Sequence, residues 1–167
     1  MSKTVLVTGG AGFIAHHVIK NLLRNTDWNI VSLDRLDFSG NLNRLADMME
    51  DFPSETRKRV KIVFHDLRAE INPMVAREIG DANFVLHLAA GSHVDRSIDY
   101  PMEFVMDNVV GTGHALQFAR TLPNLERLSI SQLMKYLAQR RQELIIKNVI
   151  DIIQLIHIQQ VKLAVRS

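Results

Sequence analysis

The feature that most constrains this chain lies within its first 23 residues. Thr4-Val5-Leu6-Val7 is a short apolar, β-branched run that stops at glycines, the pattern of a buried parallel strand. From Phe13 to Leu23 the spacing turns helical, with Ile14, Val18, Leu22 and Leu23 on one side. Between the two stands Thr8-Gly9-Gly10-Ala11-Gly12-Phe13-Ile14-Ala15. In the Gly9-x-x-Gly12-x-x-Ala15 spacing each small residue has a distinct role. Gly9 permits the tight turn, Gly12 lets a backbone approach a pyrophosphate, and Ala15 lets the helix lie close to the sheet. A strand, a glycine turn and a helix in that order predict a βα unit of a parallel sheet.

The alternation continues. Strands are predicted at Trp28 to Leu33, Val60 to Phe64 and Phe84 to Leu88, and Leu125 to Leu128 opens a fifth. Helices are predicted at Leu42 to Met49, after the turn-like Ser39-Gly40-Asn41, at Pro73 to Ile79, and at Met102 to Leu122. Proline suits the first turn of the middle one. The expected fold class is α/β: a Rossmann-type doubly wound parallel sheet with right-handed crossovers and helices on both faces. Ligands of such sheets bind at the carboxyl ends of the strands.

A chain of 167 residues suits one domain with a real core. With 47% apolar and 23% charged residues it reads as globular. A net charge of +2 gives no argument for nucleic acid, and Lys135, Arg140 and Arg141 read as a solvated helix face. There is no cysteine, so disulfides and thiolate chemistry are excluded. No signal-peptide layout and no apolar run of about 20 residues is present. The expected setting is cytoplasmic, with no membrane partner.

Candidate chemistry gathers at the predicted strand ends. The amides opening the first helix face a phosphate. Asp34 ends the second strand, where a carboxylate can accept hydrogen bonds from a ribose diol and repel a 2′-phosphate, which favours NAD. Arg35 is the counter-signal, because arginine can accommodate that phosphate. Asp66 ends the third strand and can bind there or simply cap it. His93 and Asp95 stand two apart in a loop with no third ligand, so no metal site is expected. His16 and His17 read as surface.

Thr8 to Ile14, Asp34 to Asn41 (DRLDFSGN), Asp66-Leu67-Arg68, His87 to Ile98 (HLAAGSHVDRSI) and Asn108 to Thr112 (NVVGT) together resemble the N-terminal half of an extended short-chain dehydrogenase/reductase. Within that family the resemblance is to the NAD-dependent epimerase/dehydratase branch, nearest the dTDP-glucose 4,6-dehydratases. It covers about residues 3 to 128. It implies NAD as cofactor, a nucleotide-sugar substrate and a homodimer formed through the long helix. By resemblance Phe13 and Ile14 meet the pyrophosphate, and Asp34, Arg35, Leu36 and Asp37 line the adenosine ribose. Asp66 and Leu67 flank the adenine, Leu88, Ala89 and Ala90 run beneath the cofactor, Asp107 lines it, and Ser92 faces the sugar nucleotide. Gly91 departs from the family, which carries glutamate there, and is expected to add local flexibility.

The pattern breaks near Leu128. The last glycine is Gly113, the last proline Pro123, and the remainder is dense in isoleucine and glutamine. Ile145, Ile146, Val149, Ile150, Ile152, Ile153, Leu155, Ile156 and Ile158 lie too densely for one helical face. The family's Tyr-x-x-x-Lys pair and the dehydratases' Thr-Asp-Glu triplet are missing in frame; Tyr136 is followed four positions later by Arg140. The expected division is therefore a partial NAD-binding domain over 1–128 and an aberrant, helical tail over 129–167, with no catalytic residue in this chain.

The genetic code offers a cause. With each codon started one base earlier, Ser129 to Ala138 permits FYFSTDEVFG, and Ile146 to Ala164 permits YKE and then RYNSTNPYSASKAG. The glutamate of the first word is forced by the Met134 and Lys135 codons, and the second word places a tyrosine over Ile158 and a lysine over Lys162. A one-base shift near Leu128 accounts for both words and for the isoleucine excess. Three readings stay open at this point: part of a 4,6-dehydratase, part of another NAD-dependent nucleotide-sugar epimerase or decarboxylase, and a non-catalytic nucleotide-binding or interaction module.

Overall fold

The computed structural model describes residues 2–37 and 41–130. The chain divides into two units, residues 1–131 and 132–167, and all described residues belong to the first. From residue 131 onward the predicted tail, with Tyr136, Arg140 and all of the shifted-frame reading except Ser129 and Ile130, lies outside the described residues, as does Ser39-Gly40 of the predicted turn.

Five strands form one parallel sheet: β1 (Thr4–Thr8), β2 (Asn29–Asp34), β3 (Val60–Phe64), β4 (Phe84–His87) and β5 (Arg127–Ile130). Their spatial order is β3-β2-β1-β4-β5, which is the Rossmann order and reverses direction between β1 and β4. The register brings Thr8 level with Leu33 on one side and with His87 on the other. The carboxyl ends of the three central strands thus open on one crevice.

Burial follows position in the sheet. The central strands β1 and β4 are buried almost end to end, whereas edge strand β3 buries only Val63 fully. Successive side chains point to opposite faces. Leu6, Val31, Leu33, Val63 and Val85 share one core with Ile79 of α4 (Pro73–Ile79) and with Ala115 and Phe118 of α7 (Gly111–Ala119). Val5, Val7 and Ile30 have the other parity and are equally buried, and α1 (Ala15–Asn25) packs on β1 through Val18, Ile19 and Leu22. Both faces are therefore covered. Each buried aliphatic side chain contributes about 1.5–3 kcal/mol. Trp28 stacks on Phe84 at 4.5 Å and closes the amino-terminal end.

Local signals set the ends. Asn72 caps α4 by accepting from the amides of Met74 and Val75, with Pro73 in the first turn. Asn41 caps α2 (Leu42–Glu50) by accepting from the Asn43 amide. Gly80 ends α4 at φ 76°, a conformation a side chain resists.

The structure adds and corrects elements. Two short helices, α3 (Ser54–Arg57) and α5 (Val94–Asp99), have too few residues to show periodicity. The single helix predicted over Met102 to Leu122 is α6 (Pro101–Val105), a π-helical turn (Met106–Val110) and α7, ending three residues early. The cause of the early end is Pro123, which disfavours helical backbone at Leu122. The fifth strand runs two residues beyond Leu128, to Ile130. Among the described residues no helix is long and apolar enough to cross a membrane.

Candidate dinucleotide-binding site

Gly9 is the pivot of the turn leaving β1. Its φ is 69°, and its amide donates to the Leu33 carbonyl at 2.8 Å, tying the turn to β2. A Cβ here would lie 2.8 Å from Ala89 Cα and 2.9 Å from Ala89 N, so glycine is required both by backbone conformation and by contact with the β4 loop. Gly10 carries a constraint that the motif spacing does not reveal. Its Cβ would lie 2.0 Å from Ser32 Oγ on β2. Gly12 donates to the Gly9 carbonyl at 2.9 Å, closing the loop.

The amides of Phe13 and Ile14, at the mouth of α1, have no acceptor among the described residues. They lie where the helix dipole favours an anion, and the closed glycine turn leaves them free to bond one. Phe13's own ring stays outside, 47% exposed, and packs edge-on against His16 and His17.

Asp34 is half-buried at the end of β2. One carboxylate oxygen accepts from Ala11 N at 3.0 Å and the other from Leu36 N at 2.8 Å. It therefore fixes the glycine loop as well as facing the groove, and each oxygen keeps a lone pair for a ligand hydroxyl. The second bond holds Leu36 at φ 54°, a left-handed conformation that costs a non-glycine residue about 1 kcal/mol.

Arg35 lies within an ion-pair network instead of standing open. Its Nη1 and Nη2 donate to the two oxygens of Asp107 at 2.5 and 3.1 Å, and its Nε and Nη2 donate to Asp37 at 2.8 and 2.5 Å. Asp66 is 3.7 Å from Nη1. Arg68 Nε donates to Asp107 at 2.6 Å. Burial alone would raise the Asp107 pKa, but the two guanidinium groups hold it below the usual carboxylate value. The bond to Asp107 raises Arg35 and Arg68 in turn. Asp66 also caps its own turn by accepting from Arg68 N at 2.9 Å. Leu67 belongs to the buried core and also borders the groove.

The far wall is the loop after β4, held by a relay that sequence reasoning missed. Thr112 gives its one hydroxyl proton to the Asn108 carbonyl at 2.7 Å. His87 Nε2, 3.0 Å away, must then be the donor to Thr112. Its Nδ1 is left to accept from the Thr8 hydroxyl at 2.8 Å. Thr8 Oγ1 in turn accepts the amides of Leu88 and Ala89, each at 3.2 Å. His87 is 2% exposed, and burial lowers its pKa, which suits this neutral tautomer. The only signal in the sequence is a threonine and a histidine at two strand ends, whose pairing depends on the register.

Gly91 is firmer than a glycine in a loop suggests. Its amide donates to Asn108 Oδ1 at 2.8 Å, and its carbonyl accepts from Asn108 Nδ2 at 3.2 Å. The expected flexibility is therefore offset by a two-point clamp. Asp107 and Asn108 both belong to the π-helical turn, whose widened spacing presents adjacent residues to the site.

Two contiguous hollows result. The inner one, about 110 Å³, is lined by Gly9, Gly12, Asp34, Arg35, Asp37, Asp66, Leu67, Leu88, Ala89, Ala90 and Asp107. These are eleven of the fourteen cofactor residues expected from sequence; Phe13, Ile14 and Leu36 do not line this hollow. The outer one, about 660 Å³, shares Asp107 and adds Ser92, His93 and Phe104. Glycine contacts that exclude a side chain, open amides at a helix mouth and a strand-end acid fit the pyrophosphate and ribose of a dinucleotide.

Comparison with known proteins agrees with that geometry. The family model for GDP-mannose 4,6 dehydratase matches residues 6–134. A dTDP-glucose 4,6-dehydratase of Neisseria gonorrhoeae is 43% identical over 118 residues, covering 71% of this chain and 32% of that protein. Among solved structures, a double mutant of dTDP-glucose 4,6-dehydratase from Streptomyces venezuelae, crystallised with NAD bound, is 36% identical with a TM-score of 0.63. The likeness covers 74% of this chain and 37% of that one. UDP-glucose 4-epimerase from Bifidobacterium longum, in complex with NAD+ and UDP, is 29% identical with a TM-score of 0.64, covering 77% and 36%. The chain thus spans about a third of the length of the curated relatives it matches. It belongs to the GDP-mannose 4,6 dehydratase family, within the NAD-dependent epimerases and dehydratases of the extended short-chain dehydrogenase/reductases.

Proposed function

We propose that residues 1–128 are the NAD-binding N-terminal part of a nucleotide-sugar 4,6-dehydratase, and that the chain as it stands binds the cofactor without turning over substrate. The observation that carries the reading is the pair of open amides at Phe13 and Ile14, set by a glycine turn against Asp34. Phe13 and Ile14 hold the pyrophosphate; Asp34 to Asp37 hold the adenosine ribose. Asp66 and Leu67 border the adenine, and Leu88, Ala89, Ala90 and Asp107 form the opposite wall. NAD, when bound, supplies a reversible hydride acceptor. Ser92, in the outer hollow, takes a hydroxyl of the sugar nucleotide, of the dTDP-glucose type. The UDP-glucose 4-epimerase likeness supports a second parent, a nucleotide-sugar epimerase with the same cofactor site.

The chain lacks Tyr-x-x-x-Lys and Thr-Asp-Glu in frame, and a one-base shift near codon 128 is the proposed reason. In the parent, Met102, Val105, Met106, Val109 and Leu116, exposed at helical spacing, form the dimer face. The expected setting is cytoplasmic. Turnover tests the reading. With NAD and dTDP-glucose the full chain is expected to yield no 4-keto sugar, whereas a gene with one base added near codon 128 is expected to yield it. Turnover by the unaltered chain overturns the non-catalytic reading. A nucleotide sequence whose shifted frame does not encode both motifs overturns the proposed cause.

A further inference from the structure

Arg35 directly follows the acid that meets a ribose 2′-hydroxyl, the position from which an arginine can hold the 2′-phosphate of NADP. Here its guanidinium is already committed. Asp107 takes its Nη1 and Nη2 edge in a two-pronged pair, Asp37 takes Nε and Nη2, and Asp66 stands 3.7 Å from Nη1. The Asp107 side chain is only 10% exposed and is also fixed by Arg68 at 2.6 Å, so it does not swing aside freely. It reaches Arg35 because the π-helical turn presents it to the groove and because position 91 is glycine. A Cβ at Gly91 would lie 3.0 Å from Asp107 Oδ2.

We propose that Asp107 is a specificity-determining residue. By occupying Arg35 across the groove it withholds that guanidinium from a 2′-phosphate and sets the site for NAD over NADP. The inference rests on the dinucleotide reading above. The charge balance points the same way. Asp34, Asp37, Asp66 and Asp107 line the inner groove together with Arg35 and Arg68, two more acids than bases among these six before any ligand arrives. A 2′-phosphate would add about −1.5 to −2 more. Replacing Asp107 halves the excess and frees the edge of Arg35 best shaped for bidentate phosphate binding.

The experiment is titration of the full chain with NAD and with NADP by calorimetry, in wild type, Asp107→Ala, Asp107→Asn and Arg35→Ala/Asp107→Ala. The expected result is a wild-type preference for NAD, a shift of about tenfold or more toward NADP in the ratio of dissociation constants for Asp107→Ala, and loss of that shift in the double variant. The same shift in Asp107→Asn supports the proposal if Asp107→Ala fails to fold. Retained NAD binding with an unchanged ratio in both single variants overturns it. A wild-type chain that binds neither dinucleotide overturns the cofactor reading itself, a distinguishable failure.

Discussion

Replacing Thr8 by valine keeps the shape of the side chain and deletes the hydroxyl on which the loop after β4 hangs. Three bonds go. His87 Nδ1, in a ring 2% exposed, loses its only donor, at 2.8 Å. A buried acceptor left unpaired costs about 1–3 kcal/mol. The Ala89 amide loses its acceptor at 3.2 Å, a long bond beside the groove that water partly replaces, worth about 0.5–1 kcal/mol. Leu88 N keeps the Thr8 carbonyl at 3.2 Å, so its loss is small. The sum is about 1.5–4 kcal/mol. With an m-value of about 2 kcal/mol per M, the urea midpoint should fall by about 1–2 M at unchanged m. Thr8→Ser, which retains the hydroxyl, should recover most of the difference. A Thr8→Val loss under about 1 kcal/mol, or an equal loss in Thr8→Ser, would refute the relay.

Other outcomes follow from the same geometry. Burial lowers the His87 pKa in the fold, so between that value and the unfolded value of about 6.5 the unfolded chain binds more protons. Stability should hold above about pH 6.5 and decline as pH falls below it. His17, lowered by burial and then by His16, acts in the same direction, so urea midpoints at pH 7.5 and 5.5 are compared in a His17→Asn background; equal midpoints contradict the assignment. Gly9→Ala combines a φ of 69° with a Cβ 2.8 Å from the Ala89 backbone, and should cost about 2–4 kcal/mol by urea unfolding. Asn108→Ala removes both bonds to Gly91, and should weaken NAD several-fold by calorimetry while costing about 1–2 kcal/mol of stability.

What the sequence makes legible is set by local rules. The strand–glycine–helix run, the acids at strand ends and Pro73 are patterns over a few residues, and they place β1, α1, Asp34 and α4. The misses depend on register or on contacts between distant segments. Thr8 and His87 become partners only because β1 and β4 align in parallel with those residues opposite. The requirement for glycine at position 10 comes from Ser32, on another strand. The π-helical turn has the same apolar spacing as the helices that flank it, so Asn108 gives no sign of its grip on Gly91. Arg35 reads as open to a phosphate in the sequence because its partner Asp107 is 72 residues away.

The central claim is that the glycine loop, the strand-end acids and the β4 loop form an intact dinucleotide site. Calorimetric titration of the full chain with NAD tests it most directly. The expected result is saturable binding at one site, weakened by Gly9→Ala and by Asn108→Ala. Absence of saturable heat up to millimolar NAD, from a chain shown by circular dichroism to be folded, would contradict it.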